Sequence, residues 1–270
     1  MMPATETMDV ARRFGGISRL YGVAGLTQLQ AAHICIIGIG GVGSWAAEAV
    51  ARNAVGTITL IDLDNIAESN VNRQLHALEG EFGKAKVTAM AERIKRINPA
   101  AEVLEIEDFV TTENVSELLN QQLDGVIDCI DDAKAKAAIA AFCVSHHIPL
   151  VMTGAAGGRL DATRIKQADL SVVSHDKLLA KVRNVLRRDY GFAKASNTKN
   201  KPLKLAIQCV YSDEQVVFPE RSCEVGDNDA EDALTGLNCA GYGSSVCVTA
   251  PFGFAAAGLL IQQLLSTLKL

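Results

Sequence analysis

One short stretch decides the fold of this 270-residue chain: Gly38-Ile39-Gly40-Gly41-Val42-Gly43-Ser44. It follows the apolar residues 33–38, which are typical of a buried strand, and it opens residues 42–54, which have helical character. Glycines in such a turn let the backbone approach a phosphate, and the N-terminus of the following helix offers unpaired N–H groups. Asp62 ends the next apolar run, where a carboxylate can bind ribose hydroxyls. The stretch therefore predicts a Rossmann-like nucleotide site.

Strands and helices alternate beyond this stretch. Strands are expected at residues 57–62, 103–106, 125–130 and 149–153, with helices at 84–97, 114–123 and 133–145 between them. This alternation predicts an α/β fold with a mostly parallel sheet and helices on both faces. We expect a single domain over residues 1–270, with a nucleotide-binding core at about 31–155 and a C-terminal extension at about 156–270. Further strands at 203–210 and 215–219 and a basic helix at 176–189 are expected in the extension.

Composition favours an ordered protein of the cytoplasm. The chain is 49% hydrophobic and 21% charged, enough to bury a large core. Its N-terminus shows no apolar signal-peptide segment, so its seven cysteines are expected to be reduced thiols. They form no Cys-x-x-Cys pair, so no zinc site is expected. Residues 246–265 are long and apolar enough to be taken for a membrane span, but Pro251 and two glutamines favour a buried helix.

A set of charged residues follows the predicted strands. Asp62 and Asp64 come after the second strand, and Arg73 and Lys86 lie farther along, placed to reach the phosphate end of the pocket. Two cations that converge there suit an enzyme that stabilises a pentavalent α-phosphate and the leaving pyrophosphate. A dehydrogenase has no need of them. Asp131 and Asp132 close the fourth strand, where a carboxylate can hold Mg²⁺ against phosphates. Taken singly, Lys86 is also compatible with a solvated helix charge and Asp132 with a helix cap.

Four separated motifs resemble the adenylation core of the ubiquitin-activating (E1-like) superfamily: GIGGVGS, DLDNIAESNVNRQ, the Lys86 helix and DCIDDAKAK, within residues 31–153. The resemblance implies ATP as substrate, catalytic roles for Arg73, Lys86 and Asp131, and Mg²⁺ at Asp131. It implies nucleotide contacts from Gly38, Gly40, Gly41, Gly43, Asp62, Asp64, Ser69, Asn70, Asn72, Gln74 and Asp132. An N-terminal arginine of relatives reaches into the partner subunit's site, and Arg13 or Arg19 would fill that role here.

Across nearly its full length the chain resembles the tRNA threonylcarbamoyladenosine dehydratase branch of that superfamily. The motifs that carry this likeness are Arg13-Phe14-Gly15-Gly16, Gly154-Ala155-Ala156-Gly157-Gly158, Asn238-Cys239-Ala240-Gly241-Tyr242-Gly243 and Val248-Thr249-Ala250-Pro251-Phe252-Gly253-Phe254. The branch implies a homodimer that adenylates the threonyl carboxylate of a modified adenosine beside the anticodon of tRNA. A ring then closes and AMP leaves. A sulfur-transfer partner is a further possibility, and Cys239 is expected to be a buried residue rather than a catalytic thiol.

The charge distribution independently favours a nucleic-acid partner. Residues 175–204 hold nine Lys or Arg and two Asp, a net charge of +7, while the whole chain carries −5, so the remainder carries −12. Such segregation is typical of a phosphate-backbone contact, although a solvated helix face would also produce it. The candidate tRNA-binding residues are Lys177, Lys181, Arg183, Arg187 and Arg188.

Three other functions remain compatible with parts of the sequence. The first is adenylation of the C-terminal glycine of a ubiquitin-like sulfur carrier, disfavoured by the missing zinc cysteines and by the basic segment. The second is an NAD-binding oxidoreductase or sensor, disfavoured by the set of Arg73, Lys86 and Asp131. The third, a non-catalytic binding module, leaves that set unexplained.

Overall fold

A seven-stranded sheet organises the computed structural model, which describes residues 9–193, 203–218 and 242–268. The strands are β1 His33–Ile37, β2 Thr57–Ile61, β3 Glu102–Ile106, β4 Gly125–Asp128, β5 Leu150–Thr153, β6 Ile165–Asp169 and β7 Gln208–Ser212. Their order across the sheet is β3-β2-β1-β4-β5-β7-β6, and only the β6–β7 pairing is antiparallel among them. The expected α/β fold with a mostly parallel sheet is confirmed.

Helices cover both faces of this sheet. They are α1 Val10–Ala31, α2 Gly43–Arg52, α3 Lys86–Ile97, α4 Val115–Leu118, α5 Ala133–Ser145, α6 Lys177–Asp189 and α7 Val246–Leu264. Alternate residues of the buried strand β1 belong to different cores: Ile34 and Ile36 pack with α2, α3 and α7, whereas Cys35 and Ile37 pack with α5 and α6. The period of two along the strand thus divides one apolar run between two layers.

The extension continues the same sheet. β7 pairs with β5 in parallel, and β6 pairs with β7 at the edge. The expected strand at residues 215–219 is wrong over its described part, because residues 215–218 form no strand and the Val217 N–H binds the Gly158 carbonyl instead. Neither β6 nor α1 was predicted from the sequence. β6 is a polar edge strand, and α1 is interrupted at Gly22, where φ is +76°.

The apolar C-terminal helix belongs to the core. Among the described residues, α7 is the one helix long and apolar enough to cross a membrane, and half of its apolar window is buried. Phe252, Ala256 and Leu260 are fully buried in the layer shared with α2. The expected buried helix is confirmed by this packing.

Candidate active site

A cavity of about 590 Å³ opens at the carboxyl ends of the central strands. It lies where the strand order reverses between β1 and β4, the point at which open α/β sheets bind ligands. Ten of the predicted site residues line it: Gly38, Gly40, Gly41, Asp62, Asp64, Arg73, Gln74, Lys86, Asp131 and Asp132. Side chains that are far apart in the sequence therefore meet around one space.

The glycine stretch forms the floor of the cavity and leads into α2. Gly43, the first residue of α2, lies outside the cavity lining, but a Cβ there would be 1.8 Å from the Gly38 carbonyl oxygen, so the tight turn requires glycine. Asp62 Oδ2 accepts a 2.6 Å hydrogen bond from the Ile39 N–H. The turn therefore directs the positive end of α2 toward the cavity, where a phosphate would sit.

His76 was missed by the sequence reading, although it holds the same turn. The side chain is 3% exposed, and its Nε2 lies 2.9 Å from the Ile39 carbonyl oxygen. Burial lowers the pKa of His76 to about 4, so the ring is neutral near pH 7 and Nε2–H donates to that carbonyl. Asp62 and His76 thus hold both polar groups of the Ile39 residue, which fixes the backbone next to the phosphate position.

Lys86 is a buried cation, so the solvated helix charge that the sequence left open is excluded. Its side chain is 7% exposed, and Nζ lies 2.6 Å from Asp64 Oδ2 and 3.9 Å from Asp62 Oδ1. Burial raises the pKa of Asp62, and Lys86 opposes this effect. The first residue of α3 thereby brings a positive charge to the cavity wall, opposite the glycine turn.

Arg73 lines the cavity and is anchored through its backbone. Its Nη1 donates to the Ser69 carbonyl at 2.8 Å and to Asn72 Oδ1 at 3.0 Å. Its own carbonyl accepts a 3.0 Å bond from Trp45 Nε1 on α2 and a 3.5 Å bond from Thr249 Oγ1 on α7. Two helices therefore position the segment that carries this guanidinium group.

Three of the predicted nucleotide contacts build the support of Arg73 and do not line the cavity. Asn70 is buried, and its Oδ1 accepts a 3.0 Å bond from the Ala67 N–H in the turn before Arg73. Asn72 Nδ2 donates to the Ser244 carbonyl at 2.7 Å. Ser69 offers its carbonyl to Arg73. These bonds hold the loop that carries Arg73, so the three residues act on the cavity through Arg73.

The carboxyl end of β4 presents one exposed and one capping carboxylate. Asp131 is exposed at the cavity wall. Asp132 Oδ1 accepts a 2.7 Å bond from the Ala135 N–H and caps α5, so the capping role considered for it is confirmed while the side chain also lines the cavity. Mg²⁺ is commonly held by one or two carboxylates together with substrate phosphates, a donor set that Asp131 fits.

A buried ion pair lies directly beneath this edge of the sheet. Asp128 on β4 and Lys136 on α5 are both fully buried, with 2.9 Å between Asp128 Oδ1 and Lys136 Nζ. Lys136 also donates to the Asp128 carbonyl at 3.2 Å. Burial raises the pKa of Asp128, and Lys136 opposes that rise. The pair ties the end of β4 to α5 and so fixes the turn that carries Asp131.

Further residues that were not predicted from the sequence also line the cavity. They are Lys134, Thr153, Gly154, Ala156, Gly157, Tyr242, Ser244 and Thr249. The glycine-rich stretch after β5 and Tyr242 belong to two of the motifs that resemble the dehydratase branch. Phe109 and Thr111, after β3, line the opposite end.

The two candidate N-terminal arginines differ in their surroundings. Arg13 Nη1 donates to the Ile97 carbonyl at 2.7 Å, so this side chain is tied to the end of α3 in its own chain. Arg19 is exposed on α1. Both side chains are exposed, and the role in a partner subunit stays a prediction for both.

The basic helix α6 divides its cations between packing and solvent. Arg183 Nη1 donates to the carbonyls of Leu170 and Val173 at 3.1 and 2.8 Å, and burial lowers the pKa of its guanidinium group. Arg187 is partly buried and donates to the Ala193 carbonyl. The exposed members are Lys177, Lys181 and Arg188, of which Arg188 pairs with Asp189. Arg183 therefore contributes to packing, and its contact with tRNA stays a prediction.

The described cysteines are reduced and mostly inert. Burial raises the pKa of Cys129, which lines the cavity, to about 12, so it is a neutral thiol near pH 7. Cys239 lies outside the described residues. Within the described part of the chain, no group of three or more His, Cys, Asp or Glu side chains is arranged to hold a metal ion. The expectation of no zinc site stays a prediction.

The fold and the cavity define an α/β nucleotide-binding protein with two cations beside a glycine turn. The chain belongs to the ThiF family, whose family model matches residues 14–268. It is 46% identical to the tRNA threonylcarbamoyladenosine dehydratase of Haemophilus influenzae over 94% of each chain, and 45% identical to that of Escherichia coli over 94% of each. A crystal structure of the E. coli dehydratase in complex with ATP matches with a TM-score of 0.84 and 42% identity over 98% of both chains. The family resemblance predicted from the motifs is confirmed.

Proposed function

We propose that this chain is an ATP-dependent tRNA threonylcarbamoyladenosine dehydratase. The observation that carries the proposal is that Lys86 and Arg73 line one cavity together with the glycine turn, in a chain that matches dehydratases along almost its whole length. Two cations at a helix N-terminus suit a triphosphate and the charge that develops when pyrophosphate leaves. The substrate is the threonyl carboxylate of N6-threonylcarbamoyladenosine in tRNA.

The first step is adenylation of that carboxylate. A carboxylate oxygen attacks the α-phosphorus of ATP, the new acyl-phosphate bond forms, and pyrophosphate leaves with the bonding electrons. Lys86, fixed by Asp64, and Arg73, fixed through Trp45, supply positive charge to the phosphates without reorganising. Asp131 would hold Mg²⁺, which when bound neutralises phosphate charge. Asp62 is placed to bind the ribose or to hold the glycine turn through Ile39.

The second step is ring closure within the modified side chain. A nucleophile tethered beside the activated carbonyl attacks its carbon, and AMP leaves with the bonding electrons, so the nucleoside loses one water overall. Tethering supplies an effective molarity on the order of 10⁵ M or more, which makes a protein nucleophile unnecessary. The neutral, partly buried thiol of Cys129 at the cavity wall accords with this chemistry.

Mass spectrometry of nucleosides tests the proposal directly. Incubation with ATP, Mg²⁺ and tRNA containing the modified adenosine is expected to yield a nucleoside lighter by one water, together with AMP and pyrophosphate. NAD should not replace ATP. Unchanged nucleoside would contradict the dehydratase function, and adenylation of a sulfur carrier's C-terminal glycine instead would establish the alternative enzyme.

The assembly and location form part of the same proposal. We infer a homodimer in which Arg19 of one subunit approaches the other's cavity, supported by the exposure of Arg19 and of Leu20 and Val23 beside it, 67% and 74% exposed. Sedimentation of the purified protein tests the dimer. We place the enzyme in the cytoplasm, where tRNA is modified, and leave a sulfur-transfer partner as a secondary proposal.

The exposed cations of α6 are expected to bind the tRNA backbone. Lys181→Glu with Arg188→Glu should weaken tRNA binding about tenfold or more and reduce its salt dependence, because fewer counterions are released. ATP binding should be unchanged. Filter binding across a salt series and calorimetry with ATP measure the two effects.

A matched charge reversal controls this experiment. Lys95→Glu with Arg96→Glu makes the same change in net charge on the exposed last turn of α3, at the opposite end of the sheet, and should retain tRNA affinity. If both double variants lose tRNA affinity equally, the effect depends on the net charge of the protein and not on the position of α6. Arg183→Glu should instead lower stability, since it removes the bonds to Leu170 and Val173.

A further inference from the structure

Two aromatic rings lead from the cavity to the protein surface. Tyr242 lines the cavity and is half-buried. The ring of Phe218 lies 5.5 Å from it, centroid to centroid, at an interplanar angle of 56°. Phe218 is 62% exposed, a large apolar ring left in solvent at the rim of the cavity. The reaction steps above use neither ring.

The aromatic pair continues into the basic helix. Lys177 Nζ, at the first residue of α6, lies 5.8 Å from the centroid of the Phe218 ring, within the range of a cation–π contact. The cavity, Tyr242, Phe218 and Lys177 therefore form a continuous path. It joins the proposed reaction centre to the helix that carries Lys181 and Arg188.

The glycine-rich stretch after β5 fixes the backbone under both rings. The Gly158 N–H donates to the Gly243 carbonyl and the Val217 N–H donates to the Gly158 carbonyl, each at 2.8 Å. Gly158 has φ +69°, and a Cβ on it would lie 2.6 Å from Val216 Cγ1. One residue thus links the segments that precede Phe218 and follow Tyr242, so the two rings are held at a fixed separation.

We propose that Tyr242 and Phe218 form a stacking platform for unpaired nucleobases of the tRNA loop, with Lys177 contacting the adjacent phosphate. The inference rests on the proposed dehydratase function and extends it to how the loop is bound. The target side chain must enter the cavity, so its adenosine and neighbours have to leave their regular stack. Protein aromatic rings commonly receive such splayed bases.

The surroundings favour RNA over an apolar partner. An apolar protein surface would leave the Lys177 charge desolvated beside Phe218, whereas a base with its phosphate satisfies both the ring and the cation. The platform also borders the part of the cavity that is lined by Tyr242 and by the glycine-rich stretch after β5. A loop nucleotide could therefore stack on the rim while its neighbour occupies the cavity.

Fluorescence of a modified anticodon stem-loop tests the platform. The probe carries N6-threonylcarbamoyladenosine with 2-aminopurine at the next unpaired position, so stacking on an aromatic ring quenches its emission. Phe218→Ala and Tyr242→Ala should each weaken binding about tenfold and restore emission, the scale of losing one base–aromatic stack. Phe218→Tyr and Tyr242→Phe should retain both affinity and quenching.

Phe82→Ala is the matched control, because Phe82 is another exposed ring, 37% exposed and outside the cavity lining. It should bind the stem-loop as the unaltered protein does. If Phe218→Ala binds and quenches the probe as the unaltered protein does, the platform is overturned. It is also overturned if the only effect of Phe218→Ala is to convert a dimer to a monomer. If the unaltered protein forms no dehydration product, the proposed function fails instead. The two failures can be distinguished because stem-loop binding and dehydration are measured separately.

Discussion

Lys86→Ala is expected to slow adenylation about 10²-fold or more, the scale of losing one preorganised charge next to the reacting phosphate. The loss has two causes. The α-phosphate loses a cation, and Asp62, 7% exposed, loses the positive charge that opposes the rise of its pKa on burial. Exchange of labelled pyrophosphate into ATP in the presence of substrate tRNA measures the step. Arg73→Ala is expected to have a comparable effect.

Lys84→Ala is the control for this experiment. Lys84 lies two residues before Lys86 and pairs with Glu92 at 2.5 Å on the surface, so its removal should leave exchange nearly unchanged. Thermal unfolding of both variants separates a catalytic loss from a loss of structure. Normal exchange in a folded Lys86→Ala protein would contradict the assignment of the cavity as the adenylation site.

Lys136→Met is expected to destabilise the protein by about 3–5 kcal/mol, because it leaves the fully buried Asp128 without its counter-charge. Burial already raises the pKa of Asp128, and the loss of Lys136 removes the contact that opposes this rise. Urea unfolding at neutral pH measures the change in the free energy of unfolding. The loss should be accompanied by weaker ATP binding, since the pair fixes the turn that carries Asp131.

Two further variants make the result specific to the ion pair. Asp128→Asn combined with Lys136→Met removes both charges and should recover a large part of the stability. Lys134→Met removes an exposed cation from the same helix and should change stability by less than about 0.5 kcal/mol. Equal stability in Lys136→Met and Lys134→Met would show that the buried pair contributes nothing.

The α/β core was predictable because its signals are local. The strands β1, β2, β4 and β5 are short apolar runs, and the glycine turn and Asp62 follow them at fixed places. Parallel strands bring their carboxyl ends to one edge, so the sequence alone placed Lys86 and Asp131 at a common site. β6 escaped prediction because IKQAD is polar, as an edge strand can be.

Arg183 illustrates what a count of basic residues leaves out. Leu179, Val182 and Leu186 are buried in α6, and Arg183 is four residues after Leu179, at the margin of the same face. A count of basic residues ignores this periodicity and assigned Arg183 to tRNA. The helix instead uses its guanidinium to satisfy two loop carbonyls.

The sequence by itself determined the central parallel strands, the glycine turn and the identity of the two cations, since each depends on residues close together in the chain. Only the tertiary structure decided what supports them. His76 holds the turn through Ile39, Trp45 holds Arg73 across 28 residues of chain, and Asp128 pairs with Lys136 between two elements. Such contacts depend on the three-dimensional packing of whole helices and strands, which no local pattern encodes, because a buried polar side chain takes whatever partner folding brings within hydrogen-bond distance.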